Sequence, residues 1–212
     1  MRVLFVLSGD PPDLDLLLTE IQAADLTVAV DGGVDIFRNQ NHTPDITIGD
    51  FDSKKTDVDS DSKCIYLPDQ NQSDLQKAFN YIEQNYSVST VVLLGANGGR
   101  TDHLINNLQI CASSDSHIKI IIKQIIAVDE RPTLETILRI TPDIKVDLRV
   151  MKGTTLSVFA ISHFRGLCSK GLKWELSQIN SASGVFSQSN LANVDDPQFT
   201  LLEGVAYISI YQ

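Results

Sequence analysis

The stretch Ile46-Thr47-Ile48-Gly49-Asp50-Phe51-Asp52-Ser53 places two carboxylates directly after a short apolar β-prone run. In an extended segment the side chains at positions i and i+2 point to the same side, so Asp50 and Asp52 can converge on one ion. Magnesium is typically held by one or two carboxylates together with water and phosphate oxygens. The alternative is an ordinary acidic turn after a strand, and the rest of the chain decides between the two.

Around this stretch, short β-prone runs alternate with helical stretches. This rhythm is typical of a parallel sheet that is covered by helices. Ser73 is predicted to be a helix N-cap, because apolar residues follow it at helical spacing. The predicted strands are Val3–Leu7, Thr27–Val30, Asp45–Ile48, Cys64–Leu67, Thr90–Leu94 and His117–Ile122, and the predicted helices are Pro12–Ala24, Val34–Asn39, Ser73–Asn85 and Thr101–Ser114.

The alternation of β-prone runs and helical stretches ends after about residue 125, where β-prone runs dominate and no long amphipathic helix is evident. We therefore predict an α/β fold class with two domains. A Rossmann-like α/β/α domain with a mainly parallel sheet is expected over residues 1–128, and an all-β sandwich over residues 129–212, with the boundary near Asp129 to Pro132. The later strands are predicted to include Leu134–Ile140, Thr155–Phe159 and Val205–Tyr211.

The composition excludes some classes of protein. The 212 residues carry a formal net charge of -10, which argues against a nucleic-acid-binding surface. Cys64, Cys111 and Cys168 lie far apart and leave one thiol unpaired, which favours buried, reduced thiols over a disulfide frame or a zinc site. The N-terminal apolar run is too short to span a membrane. We expect a cytoplasmic protein without a membrane or nucleic-acid partner.

Acidic and glycine-rich segments follow successive predicted strands. In an open α/β sheet, ligands bind outside the carboxyl ends of the strands. Each segment by itself is a common turn, but five of them along one edge favour a binding site. The segments are Ser8-Gly9-Asp10, Asp31-Gly32-Gly33, the stretch quoted first, Asp69 to Asp74, and Gly95 to His103.

The segment from Gly95 to His103 is the richest of these. Its glycines allow the backbone to approach a phosphate closely, and the helix that follows offers free N–H groups at its positive end. Arg100 can add a bidentate contact to phosphate. In the structural alternative, Thr101 is an N-cap, Asp102 is a favourable first-turn charge and Arg100 is solvated. The segment is neither a Walker A loop nor a G-x-G-x-x-G dinucleotide fingerprint.

Trp174, the only tryptophan, lies in the second predicted domain within Gly171-Leu172-Lys173-Trp174-Glu175-Leu176. It can stack on a flat heteroaromatic ligand or fill the β core. Periodicity alone favours the core.

Together, these motifs form a family pattern. In chain order they are D-G-G (31–33), G-D-F-D-S (49–53), P-D-Q-N-x-[ST]-D-L-x-K-A (68–78), G-x-x-G-G-R-x-D-H (95–103), G-L-K-W-E-L (171–176) and S-N (189–190). From Asp31 to Asn190 the chain closely resembles the thiamine pyrophosphokinases, also called thiamin diphosphokinases. The resemblance implies a homodimer with an N-terminal α/β domain and a C-terminal β-sandwich. It also implies the reaction of ATP with thiamine to give AMP and thiamine diphosphate.

The same resemblance implies an ATP site with magnesium. Asp50, Asp52 and Asp74 would hold Mg²⁺ against the phosphates of the co-substrate ATP. Asn71 stands where eukaryotic members often have aspartate, so the metal charge would rest more on those three carboxylates. The remaining residues implied at the ATP site are Asp31, Gly32 and Gly33 in the pocket wall, Gly98, Gly99 and Arg100 at the triphosphate, and His103 near the reacting phosphates.

For thiamine, the resemblance implies stacking on Trp174, with Ser189 and Asn190 nearby and Asp102 close to the reacting groups. The implied catalytic set is Asp50, Asp52, Asp74, Arg100 and Asp102.

The thiamine hydroxyl must attack the β-phosphorus of ATP, which requires positioning and charge neutralisation above all. Asp74 or Asp102 can orient the hydroxyl or accept its proton, and the sequence does not choose between them. Two alternatives remain: a diphosphokinase for another hydroxymethyl heterocycle such as a pterin, and a non-catalytic sensor of nucleotide or thiamine diphosphate.

Overall fold

A computed structural model of the chain describes residues 1–50, 62–98, 100–146, 148–181 and 184–212. The chain forms two compact units, Met1–Ile110 and Cys111–Gln212. The predicted site residues Asp52 and Gly99 lie outside the described residues, so their assignments remain predictions.

The first unit is built around a parallel sheet with the strand order β5-β1-β2-β3-β4. Strand β2 is buried at every position, as expected for a parallel sheet covered on both faces. The elements of this unit are β1 (Arg2–Val6), α1 (Leu14–Ala23), β2 (Leu26–Val30), α2 (Gly33–Asn39), β3 (Ile46–Gly49), β4 (Lys63–Tyr66), α3 (Asp74–Asn85), β5 (Thr90–Leu94) and most of α4 (Thr101–Ser113).

The order of these strands creates a switch point. The chain moves outward from β1 through β2 and β3 to β4, and then returns to the other side of β1 as β5. Connections therefore leave β1 and β5 in opposite directions, which opens a crevice at their carboxyl ends. Beyond the strands the two segments stay paired, because the N–H of Gly9 donates to the carbonyl of Gly95 at 3.0 Å and that of Asp10 to the carbonyl of Asn97 at 2.7 Å.

Helix α3 confirms the predicted cap. The Ser73 hydroxyl accepts a hydrogen bond from the N–H of Gln76 at 3.4 Å, and the helix begins at Asp74. Its apolar face is buried, and Phe79 packs edge-on against Phe5 of β1 with ring centroids 5.1 Å apart. The helix start, and with it the position of Asp74, is thus fixed by both a cap and core packing.

The second unit is antiparallel. One sheet has the order β11-β8-β14-β7-β6, and a smaller sheet has the order β10-β9-β12, with β13 also paired to β9. The predicted α/β class is confirmed at the level of mixed structure with a large sheet and a smaller antiparallel one. The elements are β6 (Lys119–Val128), β7 (Arg131–Ile140), β8 (Thr155–Ala160), β9 (Phe164–Lys170), β10 (Ile179–Ser181), β11 (Gly184–Leu191), β12 (Gln198–Thr200), β13 (Glu203–Gly204) and β14 (Ala206–Tyr211).

Strand β6 is longer than predicted, and a tight turn follows it. The strand runs to Val128, which is paired with Arg131, so that only Asp129 and Glu130 form the loop. Both residues have positive φ, at 48° and 62°, as a two-residue type I′ hairpin turn requires. The polar pair Lys123-Gln124 hid this continuation from the sequence pattern. The functional division into residues 1–128 and 129–212 stays a prediction.

The prediction that the three cysteines are buried is confirmed only in part. Cys111 is buried, and burial raises the pKa of its thiol to about 12. The expectation that all three thiols are buried was wrong for Cys64, which is exposed on β4. Within the described residues, no helix has the length and apolar composition needed to cross a membrane.

Candidate active site

A cavity of about 440 Å³ lies in the first unit, at the carboxyl ends of β1, β2 and β5. This is the switch point of the sheet, where an open α/β fold binds its ligands. The cavity brings together segments that are far apart in the sequence. Its polar lining includes Ser8, Asp31, Ser73, Asp74, Arg100 and His103.

The backbone around this cavity is packed too closely for a side chain at several glycines, of which Gly9 and Gly33 are the tightest. A Cβ atom at Gly9 would lie 2.0 Å from the carbonyl oxygen of Asn97, and one at Gly33 would lie 1.9 Å from the carbonyl oxygen of Val6. Glycine is therefore required for the main chain to close up at these points. Gly9 lines the cavity, whereas Gly33 supports it from the start of α2, and Gly32 is the α2 N-cap. The structure thus gives Gly32 and Gly33 packing positions outside the cavity lining.

Asp31 follows β2 and lines the cavity in an uncommon backbone conformation. Its φ is 47°, in the left-handed region, and its N–H donates to the carbonyl of Ile48 at 2.8 Å. Non-glycine residues adopt this conformation only where the surroundings hold them in it, and they concentrate at functional sites. The hydrogen bond to β3 provides that hold for the backbone and places Asp31 at the sheet edge.

Arg100 and Asp102 form a two-point ion pair at the start of α4. Arg100 Nε donates to Asp102 Oδ1 at 3.0 Å, and a second guanidinium nitrogen donates to Oδ2. The hydrogen bond from Arg100 lowers the pKa of Asp102 below its ordinary value. Arg100 remains 70% exposed, so the pair is solvated and can exchange partners. A phosphate group offers the guanidinium the same bidentate geometry.

Asp50 and Asp74 are the two predicted metal ligands that lie within the described residues. Asp50 directly follows β3 and accepts a hydrogen bond from Gln70 Nε2 at 2.8 Å. Asp74 opens α3, lines the cavity and pairs with Lys77 Nζ at 3.0 Å. The lining of the 440 Å³ cavity includes Asp74 but not Asp50.

Asn71 is engaged within its own loop. Its backbone N–H and its amide group both donate to Asp69 Oδ1 at 2.9 Å. The backbone hydrogen bond is the main reason why the pKa of Asp69 lies below its ordinary value. Asn71 therefore shapes the loop before α3 and is not part of the lining of the cavity.

The donor chemistry of this region fits magnesium. Carboxylate oxygens at Asp31, Asp50 and Asp74 are hard ligands of the type that Mg²⁺ prefers. Among the described residues, no cluster of three His, Cys, Asp or Glu side chains is close enough to hold a metal ion, and Asp52 lies outside them. The set of Asp50, Asp52 and Asp74 stays a prediction.

Asn106 and Asn107 belong to this site and were missed from the sequence. Both line the cavity, and Asn107 Nδ2 donates to the carbonyl of Ala96 at 2.8 Å. This bond ties α4 to the loop that precedes it. The available signal was their spacing, since positions three and four residues after His103 share its face of the helix.

In the second unit, Trp174 is 54% exposed, so the core position favoured by periodicity was wrong. The ring is available for stacking, and Lys173 Nζ lies 4.5 Å from its centroid.

Asn190 is fully buried and forms two hydrogen bonds with the backbone of Trp174. Its Oδ1 accepts from the Trp174 N–H at 3.2 Å, and its Nδ2 donates to the Trp174 carbonyl at 2.8 Å. Ser189 is exposed, with φ of 52°. The structure thus shows Asn190 as a buried partner of the Trp174 backbone, and its role in thiamine binding stays a prediction.

Glu175 closes the loop that presents Trp174. Its Oε1 accepts from the N–H of Gly171 at 2.6 Å and of Leu172 at 3.2 Å, and its Oε2 accepts from the Ser169 hydroxyl at 2.6 Å. Partial burial alone would raise the pKa of Glu175, but these hydrogen bonds outweigh it and lower the pKa below its ordinary value. These hydrogen bonds tie the two ends of the loop together.

The geometry is that of an open α/β unit with a polar cavity at the switch point of its sheet, and comparison with known proteins gives the family. The sequence model for the thiamin pyrophosphokinase catalytic domain matches residues 17–122, half of the chain. The chain belongs to the thiamin pyrophosphokinase family. Thiamin pyrophosphokinase 1 of Caenorhabditis elegans is 32% identical over 112 residues, which span 48% of this chain and 46% of the worm protein.

Solved structures of similar fold cover nearly the whole chain. Thiamine pyrophosphokinase from Bacillus subtilis superposes with a TM-score of 0.76 at 20% identity, over 99% of this chain and 98% of the bacterial one. Yeast thiamin pyrophosphokinase gives a TM-score of 0.73 at 16% identity, over 100% of this chain and 86% of the yeast chain. At these identities the likeness concerns the fold.

Proposed function

We propose that this chain is a thiamine diphosphokinase, which transfers the diphosphoryl group of ATP to the hydroxyl of thiamine and releases AMP. The observation that carries the proposal is the cavity at the β1/β5 switch point. It gathers Asp31, Asp74, Arg100 and His103, four residues of the family pattern, around one volume of about 440 Å³. Family membership supplies the chemistry for which such a cavity is suited.

In the proposed complex, ATP places its phosphates in this cavity. Arg100 exchanges its contact with Asp102 for a phosphate, and the start of α4 adds N–H groups at the positive end of the helix. Asp50, Asp52 and Asp74 would hold Mg²⁺, and the bound ion would neutralise phosphate charge and orient the triphosphate.

The reaction forms one bond and breaks one bond at the same phosphorus. The thiamine oxygen bonds to the β-phosphorus, the bond from that phosphorus to the oxygen bridging to the α-phosphate breaks, and AMP leaves with that oxygen. The hydroxyl proton passes to a carboxylate, for which Asp74 and Asp102 remain the two candidates. Arg100 stabilises the charge that develops on the transferred group.

Thiamine is proposed to stack on Trp174. Its thiazolium ring is a permanent cation, and the face of an indole attracts cations. A cation, Lys173 Nζ, lies 4.5 Å from the centroid of this ring, which supports the proposal that the indole face binds positive charge. A homodimer and a cytoplasmic location complete the proposal.

The direct test is to incubate the purified protein with thiamine, ATP and Mg²⁺ and to separate the products by chromatography. We expect thiamine diphosphate and AMP in equal amounts. A hydroxymethylpterin as parallel acceptor tests the alternative substrate class. ADP with thiamine monophosphate would contradict the diphosphoryl mechanism, and ligand binding without product from either acceptor would support the sensor.

Replacement of Trp174 by alanine should raise the KM for thiamine about 5- to 30-fold, because a desolvated cation–π contact contributes about 1–2 kcal/mol. The KM for ATP should stay within about twofold, since the nucleotide cavity is formed by the first unit. Steady-state kinetics with each substrate varied in turn measures both values. Leu202→Ala, which removes another exposed apolar side chain of the second unit, is the control and should change neither. Equal effects of Trp174→Ala on both substrates would contradict the assignment.

A further inference from the structure

Lys77 is an unusual residue for its place in the fold. It lies in the first turn of α3 and is only 4% exposed. Lysine is among the residues least often buried, and a positive charge near a helix N-terminus opposes the helix dipole. Two local preferences are therefore violated at one position. Such violations are expected at functional sites, where another requirement outweighs them.

The partner of Lys77 explains its location. Its Nζ lies 3.0 Å from Asp74 Oδ1, and within the described residues Asp74 is the one carboxylate paired with it. An ammonium group that is removed from water needs a charged partner, because leaving it unpaired is costly. The pair therefore persists. The contact uses one carboxylate oxygen and fixes the orientation of the other.

The two partners border different spaces. Asp74 lines the 440 Å³ cavity at the switch point, whereas Lys77 lines a second cavity of about 490 Å³ on the side of α3 that carries Asn80 and Tyr81. Lys77 is not part of the lining of the first cavity. Lys77 thus contacts Asp74 from the side of the second cavity and does not line the cavity at the switch point.

We propose that Lys77 is a positioning residue, whose buried ammonium holds Asp74 Oδ1 and so orients the Asp74 carboxylate for a divalent cation bound with ATP phosphate. The inference rests on the proposed function, because it assigns Asp74 to the metal of that reaction. It adds a residue that acts through Asp74 and touches neither nucleotide nor thiamine.

A positioning role and a purely electrostatic role predict opposite results when the charge is removed. If Lys77 only lowered the negative charge of the site, its removal would strengthen cation binding, because like charges repel. If Lys77 orients Asp74, its removal frees the carboxylate to rotate, and cation binding weakens despite the gain in negative charge. The direction of the change therefore decides between the two roles.

The test measures Mn²⁺ binding by electron paramagnetic resonance, with α,β-methylene-ATP present at saturation. In Lys77→Met, which keeps an unbranched side chain of similar size, we expect the Kd for Mn²⁺ to rise about tenfold, as is typical when a group that orients a metal ligand is lost. Lys77→Arg should recover most of the affinity. Lys63→Met is the matched control: it removes an exposed lysine of the same unit, whose Nζ bonds to the Tyr81 hydroxyl at 2.9 Å, and should leave the Kd unchanged.

Adding Lys77→Met to Asp74→Asn separates action through Asp74 from any other route. We expect no weakening beyond that of Asp74→Asn alone, because residues that act through one group are not additive. An unchanged or lower Kd in Lys77→Met, or a further loss in the double variant, would overturn the inference. So would a wild-type protein that binds no Mn²⁺ with the analogue. Metal binding without thiamine turnover would overturn the proposed function and leave the role of Lys77 intact.

Discussion

Replacement of Asp74 by asparagine is expected to lower kcat/KM for the diphosphokinase reaction by about 10²–10³-fold, or about 3–4 kcal/mol of transition-state stabilisation. Asparagine has the same shape but carries no charge. The variant therefore keeps the cap of α3 and the cavity wall, and loses the negative charge proposed to hold the metal. Steady-state kinetics across a range of Mg²⁺ concentrations measures the loss.

The same substitution should also cost stability, and this effect must be separated from the loss of activity. Lys77 is buried, and in Asp74→Asn it loses its charged partner, for which a loss of about 1–3 kcal/mol is expected. The double variant Asp74→Asn with Lys77→Met should regain that stability, because an apolar side chain of similar volume replaces the unpaired ammonium. It should not regain activity. Recovery of turnover together with stability would show that Asp74 has only a structural role.

Replacement of Arg139 by methionine is expected to lower the free energy of unfolding by about 3–5 kcal/mol. Arg139 is 2% exposed, and its guanidinium donates to the carbonyl oxygens of Cys111 at 2.7 Å and Ser114 at 3.0 Å. It also donates to the carbonyls of Asp115 and Ile118. These carbonyls belong to the end of α4 and the turn after it, where a helix leaves its last acceptors unpaired. Urea unfolding measures the change.

The control for Arg139 is another arginine of the second unit. Arg165 is 58% exposed and pairs with Glu203 at 2.9 Å on the surface. An exposed pair of this kind contributes about 0–1 kcal/mol, so Arg165→Met should change the free energy of unfolding by no more than that. Arg139→Lys should recover only part of the loss, because one ammonium cannot satisfy carbonyls that are spread around a planar guanidinium. Equal losses in Arg139→Met and Arg165→Met would contradict the role of Arg139 at the helix end.

Elements with strong local signals were predictable from the sequence. Strand β5 was predicted with the observed bounds, Thr90–Leu94, because its apolar run is short and has polar neighbours. Helix α3 was predicted from its cap and its periodic apolar face, which agree with each other. The edge of the parallel sheet where acidic segments collect was also predictable, because strand order in such folds follows few rules.

Features that depend on distant contacts were not predictable. The burial of Arg139 was not predictable, since the carbonyls that hold it become neighbours only after folding. Asp74 and Lys77 are spaced i,i+3 on one helix, so their ion pair is local, but that spacing does not reveal that Lys77 is buried. Trp174 was favoured as a core residue because periodicity does not reveal that Asn190 and Glu175 hold its loop at the surface. The hairpin turn at Asp129 and Glu130 lacked the glycine or asparagine that usually marks positive φ.

The close main-chain packing at Gly9 and Gly33 bears on how this family can diverge. Around the cavity at the switch point, the approach of the main-chain segments at these glycines depends on peptide groups and on the missing Cβ atoms, and not on the neighbouring side chains. The Bacillus subtilis and yeast proteins share this fold at only 20% and 16% identity, so most side chains of the fold can be replaced. A search for remote members of the lineage should therefore weight these two glycine positions above the apolar strand residues, which many other hydrophobic residues can replace.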